Sequence, residues 1–150
     1  MSFEANTYRV AAEEHVTVAN RLYDMNRFVL AAYVAGLAVE CILRAYRYRI
    51  NPQFDARHSL NLLYKAARFA EFIPAGKQVE ISAALGDVVT RWSNDHRYRS
   101  EAALRSFFKR ANLHRGIKGD FVKENTRRIV NAATTIVILG VSRWNVSFKD

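Results

Sequence analysis

Apolar residues recur three and four positions apart along almost the whole chain, a spacing typical of amphipathic helices. Two prolines and six glycines in 150 residues leave few positions that interrupt this pattern. We expect helices over about residues 4–23, 28–47, 59–69, 77–92, 101–113 and 121–144. The sequence therefore predicts an all-α fold, a single-domain antiparallel bundle of five to six helices across residues 1–150.

Residues at the expected helix ends support these boundaries. Pro52 disfavours a helical residue before it and should end the second helix. Ser59 and Asp120 are good N-caps for the third and last helices. The segment Ile73–Gly76 has the composition of a turn.

The second helix is apolar on nearly every side, which predicts burial between neighbouring helices. Small residues such as Ala35 and Gly36 would let other helices approach it closely. Its apolar run, residues 28–43, is interrupted by Glu40 and is shorter than a membrane span requires. The N-terminus lacks the pattern of a signal peptide. We therefore predict a soluble, cytoplasmic protein without a membrane partner.

Two side chains in the second helix raise separate questions. The charge of Glu40 needs a partner in such an apolar helix. Arg44, one turn later, is the ordinary candidate, and Arg91 or His96 is the alternative. Cys41, the single cysteine, is read as a small buried hydrophobic residue rather than a nucleophile.

The formal net charge of +9 favours an anionic partner, with nucleic acid ahead of an acidic protein or an anionic membrane surface. In the fifth helix, Arg105 and Lys109 lie four positions apart, where like charges repel and contribute nothing to folding. The basic residues that continue this strip are Arg110, His114, Arg115 and Lys118. The strip is thus a candidate RNA-binding surface, and a merely solvated face is the alternative.

The segment Arg91–Tyr98 combines an arginine, a histidine, a second arginine and a tyrosine. On a continuous helix Arg91 and His96 would lie roughly 140° apart. They converge only if the helix ends between them, and Ser93-Asn94-Asp95 is a plausible place for that break.

If they converge, the pair suits RNA cleavage. The histidine could exchange a proton with a ribose 2′-hydroxyl or a leaving 5′-oxygen, and the arginine could neutralise the growing phosphate charge. Tyr98 could stack on a base, while Arg97 could hold a neighbouring phosphate. No compelling metal-ligand cluster accompanies them, so no cofactor is predicted. The ordinary alternative is that His96 caps a helix end.

Three segments resemble HEPN domains, in the order that this family has them. The run Ala31–Ala45, with Glu40, resembles the family's second helix, and His58–Leu63 resembles its His-x-Leu helix start. Arg91-x4-His96-x-Tyr98 resembles the motif of its ribonuclease members, including the tyrosine of toxins paired with nucleotidyltransferase antitoxins. The likeness spans roughly residues 5–145.

The resemblance implies a homodimer in which two Arg/His pairs face one cleft. It implies a metal-independent endoribonuclease of toxin or defence type that leaves a 2′,3′-cyclic phosphate. Carried over, His96 is the general acid/base, Arg91 stabilises the phosphate, and Tyr98 is the position that an antitoxin modifies with AMP. Trp92 stands where relatives often have a polar residue. The residues expected to bind RNA or to support the site are Arg97, Arg105, Lys109, Arg110, Glu40 and Asn94.

A second alignment gives a different function. Arg97-Tyr98-Arg99 resembles the Arg-Tyr-Pro of other HEPN proteins, many of which are thought to bind nucleotides or partners without cutting RNA. His96 would then be incidental. The leading hypothesis is the ribonuclease. The alternatives are a non-catalytic module that binds a nucleotide, a nucleotidyltransferase or another effector, and a basic RNA-binding scaffold.

Overall fold

The computed structural model describes residues 4–50 and 59–147, and every regular element in these two ranges is helical. The predicted all-α bundle is therefore confirmed. Its α-helices are α1 (Ala5–Asp24), α2 (Phe28–Ile50), α3 (Leu60–Ala66), α4 (Gln78–Arg91), α5 (Glu101–Arg110), α6 (Phe121–Ser142) and the short α7 (Trp144–Ser147). The 3-10 turns are Phe69–Phe72, Ala75–Lys77 and Asn94–Tyr98.

Side-chain caps start several of these helices. Ser59 Oγ accepts the N–H of Leu62 at 3.3 Å, and Asp120 Oδ1 accepts the N–H groups of Val122 and Lys123 at 3.1 Å. These contacts satisfy N–H groups that have no partner inside the helix. Both predicted N-caps are confirmed. Pro52, the predicted end of the second helix, lies outside the described residues. So does His58, the first residue of the segment that resembles the HEPN helix start.

The predicted ends of the second, third, fifth and sixth helices were wrong by a few residues. α2 continues to Ile50, three residues past its predicted end. Arg68 and Asn112 have φ values of 52° and 60°, in the left-handed region that a continuing α-helix does not use. α3 therefore ends at Ala66, before a 3-10 turn, and α5 ends at Arg110. The last long helix ends at Ser142 instead of Trp144.

α2 is the central helix of the bundle. It forms a close antiparallel pair with α1 and also packs against α6. Tyr46 Oη donates to the carbonyl oxygen of Gly140 at 2.6 Å, which joins α2 to α6. A Cβ at Gly140 would lie 2.7 Å from Ile42 Cγ1, so the missing side chain allows this close approach. The predicted burial of the second helix is confirmed.

By length and composition α2 could cross a membrane, because the helix continues past the apolar run to 23 residues. The predicted shortfall in length was therefore wrong. However, 67% of its most apolar window is buried in the bundle. A core helix of a soluble protein has these same properties, so α2 is compatible with one. The cytoplasmic location stays a prediction.

Candidate functional site

The segment between α4 and α5 has the break that convergence of Arg91 and His96 requires. α4 ends at Arg91, and Trp92 continues in extended backbone with φ −101° and ψ 143°. Ser93 Oγ then accepts the N–H of Asp95 at 3.1 Å and starts the 3-10 turn. The predicted helix end between Arg91 and His96 is confirmed.

The side chain of His96 is enclosed, with an exposed fraction of 0%. Its Nε2 lies 2.8 Å from the backbone oxygen of Arg91, and its Nδ1 lies 3.1 Å from Arg99 Nη1. A carbonyl only accepts and a guanidinium only donates, so the proton is on Nε2 and the ring is neutral. His96 thus caps a carbonyl at the end of α4.

The surroundings of His96 oppose its protonation. Burial is the main cause of its lowered pKa, and the charge of Arg99 lowers the pKa further. The hydrogen bond to the Arg91 backbone and the charge of Asp95 act in the opposite direction. Phe107 packs edge-on with ring centroids 4.9 Å apart. A proton on Nδ1 would face the Arg99 guanidinium, so the fold favours the neutral imidazole.

The guanidinium of Arg91 is also buried and has its own partners. Nε donates to Asn125 Oδ1 at 2.9 Å, and Nη1 donates to Asp87 Oδ1 at 3.0 Å. Burial lowers the pKa of Arg91, and the charge of Asp87 partly offsets this effect. His96 therefore contacts the backbone oxygen of Arg91 and not its guanidinium, whose hydrogen bonds go to other residues.

Trp92 joins the same turn to the central helix. Its Nε1 donates to the backbone oxygen of Tyr33 at 3.1 Å. The indole covers Gly36, where a Cβ would lie 2.0 Å from ring atoms. The prediction that small residues let other elements approach α2 is confirmed here. The tryptophan is a packing residue whose size requires a glycine in α2.

Other predicted site residues lie on the surface beside this turn. Tyr98 is 75% exposed, and the Arg97 guanidinium carbon lies 4.5 Å from the centroid of its ring. Asn94 is half-buried at the start of the 3-10 turn, and its side chain has no hydrogen bond to a described residue. The turn thus separates an enclosed histidine from an exposed Arg–Tyr pair.

The predicted basic strip is exposed except at His114, which is half-buried. The Arg105 guanidinium carbon lies 5.1 Å from the ring centroid of Phe121, the first residue of α6. Lys109 and Arg110 are exposed in the last turn of α5. Within residues 4–50 and 59–147, neither of these two side chains has an ion-pair partner. The strip is therefore available to an anionic ligand.

Glu40 is buried and its Oε2 lies 3.4 Å from Arg44 Nε. Arg44 is thus confirmed as a partner of Glu40. The alternative partners, Arg91 and His96, hydrogen-bond other groups. The thiol of Cys41 is buried too, and this burial raises its pKa to about 12. Cys41 is thus a core residue, as predicted.

Sequence reasoning missed several residues that build this region. Asp87 stands four residues before Arg91, a helical pairing that the sequence could have revealed. Arg99 also lies within one turn of its partner, three residues after His96. Asn125 had no such signal, because its contact depends on packing between α4 and α6. The structure also brings Glu124 close enough for its charge to affect the pKa of Arg91.

In the part of the chain that the structure describes, no group of three His, Cys, Asp or Glu side chains is arranged to hold a metal ion. Comparisons with known protein families, with curated proteins and with solved structures found no match.

Proposed function

We propose that this chain is a non-catalytic RNA-binding domain. Its contact surface is the exposed pair Arg97 and Tyr98 together with the basic strip of α5. One contrast supports this proposal above all. His96 is 0% exposed and hydrogen-bonded at both ring nitrogens, whereas Tyr98, two residues later, is 75% exposed.

The environment of His96 suits a positioning role. A general base must lie within hydrogen-bond reach of the substrate proton that it removes. Here both nitrogens of the imidazole already have partners in the chain. His96 ties the 3-10 turn to the end of α4, and this contact holds the following Arg97–Tyr98 pair at the surface.

Tyr98 and Arg97 have the chemistry that single-stranded RNA requires. Stacking of a base on an aromatic side chain contributes about 1–3 kcal/mol, and guanidinium groups add contacts to rings and phosphates. A net charge of +9 supplies the long-range attraction to a phosphate backbone. The HEPN-like Arg-Tyr motif agrees with this proposal, and so does the exposed strip on α5.

The ribonuclease is the second candidate, and one observation favours it. The end of α4 brings His96 Nε2 to 2.8 Å from the Arg91 backbone, so both motif residues occupy one turn. Catalysis would require the Arg99 guanidinium to leave His96 Nδ1. In the homodimer that the HEPN resemblance implies, the two Arg/His pairs would face one cleft. If the chain is a ribonuclease, its proposed role is in a toxin or defence system. Its proposed partner is then a nucleotidyltransferase antitoxin or another effector.

One experiment separates the two candidates. Wild-type protein is incubated in EDTA with a labelled single-stranded RNA of about 20 nucleotides, a length that exceeds one binding site. We expect binding without cleavage, a loss of about tenfold in affinity for Tyr98→Ala, and near-normal affinity for Tyr98→Phe, which keeps the ring.

The His96→Asn variant decides the chemistry in the same assay. Cleavage by the wild type that leaves a 2′,3′-cyclic phosphate, and that His96→Asn abolishes, would replace the binding proposal with the ribonuclease. Failure of the folded wild type to bind RNA would reject both candidates. Light scattering with and without RNA reports whether a dimer forms.

A further inference from the structure

A second concentration of positive charge follows α5 in the chain, where the loop Gly116–Asp120 meets the first turns of α6, and it includes Lys118 from the predicted basic strip. Here the surface forms a depression of about 490 Å³. Four cationic and two acidic side chains line it, together with Tyr23 and the loop backbone. The charged lining residues are Lys118, Lys123, Arg127, Arg128, Asp120 and Glu124.

Both carboxylates in this depression are already engaged. Asp120 accepts two N–H groups as the N-cap of α6. Glu124 accepts hydrogen bonds from Arg127 at 2.6 Å and from Arg128 at 3.2 Å. These hydrogen bonds hold the pKa of Glu124 down to about 2, so the carboxylate stays ionised and keeps both arginines at the rim.

The two lysines have no such partners. Among the residues that the structure describes, neither the Lys118 nor the Lys123 ammonium group has a hydrogen bond or an ion pair. Gly116 and Gly119 have φ values of 76° and 88°, which let the loop turn sharply around the depression. The result is an open pocket with two free cations and a net excess of positive charge.

Tyr23 also lines the depression. Burial raises the pKa of Tyr23, and the charge of Arg127 partly offsets the effect. Its hydroxyl group is therefore protonated at neutral pH and can donate to an anion. Lysine ammonium groups, guanidinium groups and a phenol are the donors that proteins use for phosphate.

We propose that this depression, called here the α6 pocket, binds a phosphoryl group through Lys118 and Lys123. The source that fits the rest of the molecule is a backbone phosphate of the RNA, a choice that rests on the function proposed above. A free phosphorylated small molecule supplies the same chemistry, and the test below distinguishes the two sources.

In the chain, α5 lies between Tyr98 and the loop that borders the α6 pocket. Its ten residues span about 15 Å, the length of about four stacked nucleotides. Arg105 lies on this path, and its guanidinium packs over Phe121, next to the capping residue Asp120. A strand that stacks on Tyr98 and runs past Arg105 would place a later phosphate in the α6 pocket.

The first arm of the test uses inorganic pyrophosphate and ¹⁵N-labelled protein. In the wild type we expect amide shift changes in residues 116–123, and in Lys118→Gln/Lys123→Gln we expect them to be lost. The control Lys65→Gln/Lys77→Gln removes the same charge from exposed lysines outside the pocket and keeps the changes. Absence of these shifts in the wild type, or their persistence in the pocket variant, would overturn the proposal.

The second arm measures affinity for a single-stranded RNA of about twelve nucleotides at several salt concentrations. For the pocket variant we expect the slope of log affinity against log salt to fall by about one, and binding to weaken about fivefold to tenfold. If the pocket variant keeps the wild-type salt slope while the wild type binds pyrophosphate in the pocket, the source of the phosphoryl group is a free phosphorylated compound. Failure of the wild type to bind RNA refutes the proposed function, while the pyrophosphate arm still decides the pocket.

Discussion

His96 Nε2 donates a hydrogen bond to the backbone oxygen of Arg91 across 2.8 Å, where the last turn of α4 gives way to extended backbone. This contact makes the imidazole part of the helix end. It leaves Nδ1 as an acceptor for Arg99, which needs the ring to be neutral. The relationship between these two residues therefore governs both the stability of the turn and the chemistry available to it.

The first prediction concerns pH. The pKa of His96 is lowered from its ordinary value of 6.5, so the unfolded chain binds a proton that the folded chain excludes. Stability should therefore be full above this value and should fall as pH drops below it, by at most about 1.4 kcal/mol per pH unit. Urea unfolding at about pH 7.5, 6.5 and 5.5 measures the slope.

The His96→Gln variant should lose this part of the slope, whatever its stability at neutral pH. His15→Gln on α1 leaves the turn intact and should keep the wild-type pH dependence. Equal slopes for the wild type and His96→Gln would show that His96 is not held neutral by the fold.

The second prediction concerns the contact between α2 and Trp92. In Gly36→Ala the new Cβ would lie 2.0 Å from the indole ring, so the turn must shift. Overpacking of this kind costs about 1–3 kcal/mol of unfolding free energy. Denaturant unfolding measures the loss. The loss in Gly36→Ala/Trp92→Leu should be smaller than the sum of the losses in the two single variants, because the two sites are coupled.

Gly86→Ala is the matched control for this substitution. Gly86 lies in the middle of α4, and a Cβ there meets nothing within 4 Å. The variant should gain about 0.5–1 kcal/mol from the higher helix propensity of alanine. A similar effect of both substitutions would contradict the packing described for Trp92.

The third prediction concerns acid stability. Hydrogen bonds from Arg127 and Arg128 lower the pKa of Glu124 from 4.5 to about 2, so its contribution is present above pH 4.5 and is lost as pH falls toward 2. Because the arginines are partly exposed, we expect Glu124→Gln to cost only about 1 kcal/mol at neutral pH. The difference in stability between the variant and the wild type, measured by thermal unfolding, should become smaller below pH 4.5.

Glu14→Gln serves as the control for that series. Glu14 is exposed on α1 and has no ion pair with a described residue, so its removal should leave acid stability unchanged. A constant gap between Glu124→Gln and the wild type at every pH would contradict the shifted pKa.

Local pairs of residues were readable from the sequence. The caps Ser59 and Asp120 act within three residues of their partners, and Arg44 reaches Glu40 across one helical turn. Interactions at such short range depend only on the helix that contains them. The same holds for the burial of α2, which follows from its apolar composition.

Packing between distant elements decided the candidate site. One partner of Arg91, Asn125, lies 34 residues away, and no spacing rule connects them. The sequence also placed the α4–α5 turn correctly, yet it could not show that Phe107 and Phe108 enclose His96.

The sequence by itself determined the helical class, the approximate positions of the long helices, two of their caps and the central position of α2, because each depends on periodicity or on contacts within one turn. Only the tertiary structure decided that His96 is buried and neutral while Tyr98 is exposed. It alone also gathered Lys118, Lys123 and Glu124 around one pocket. These outcomes depend on how α4, α5 and α6 pack together, and burial sets both the pKa of a side chain and its access to a ligand.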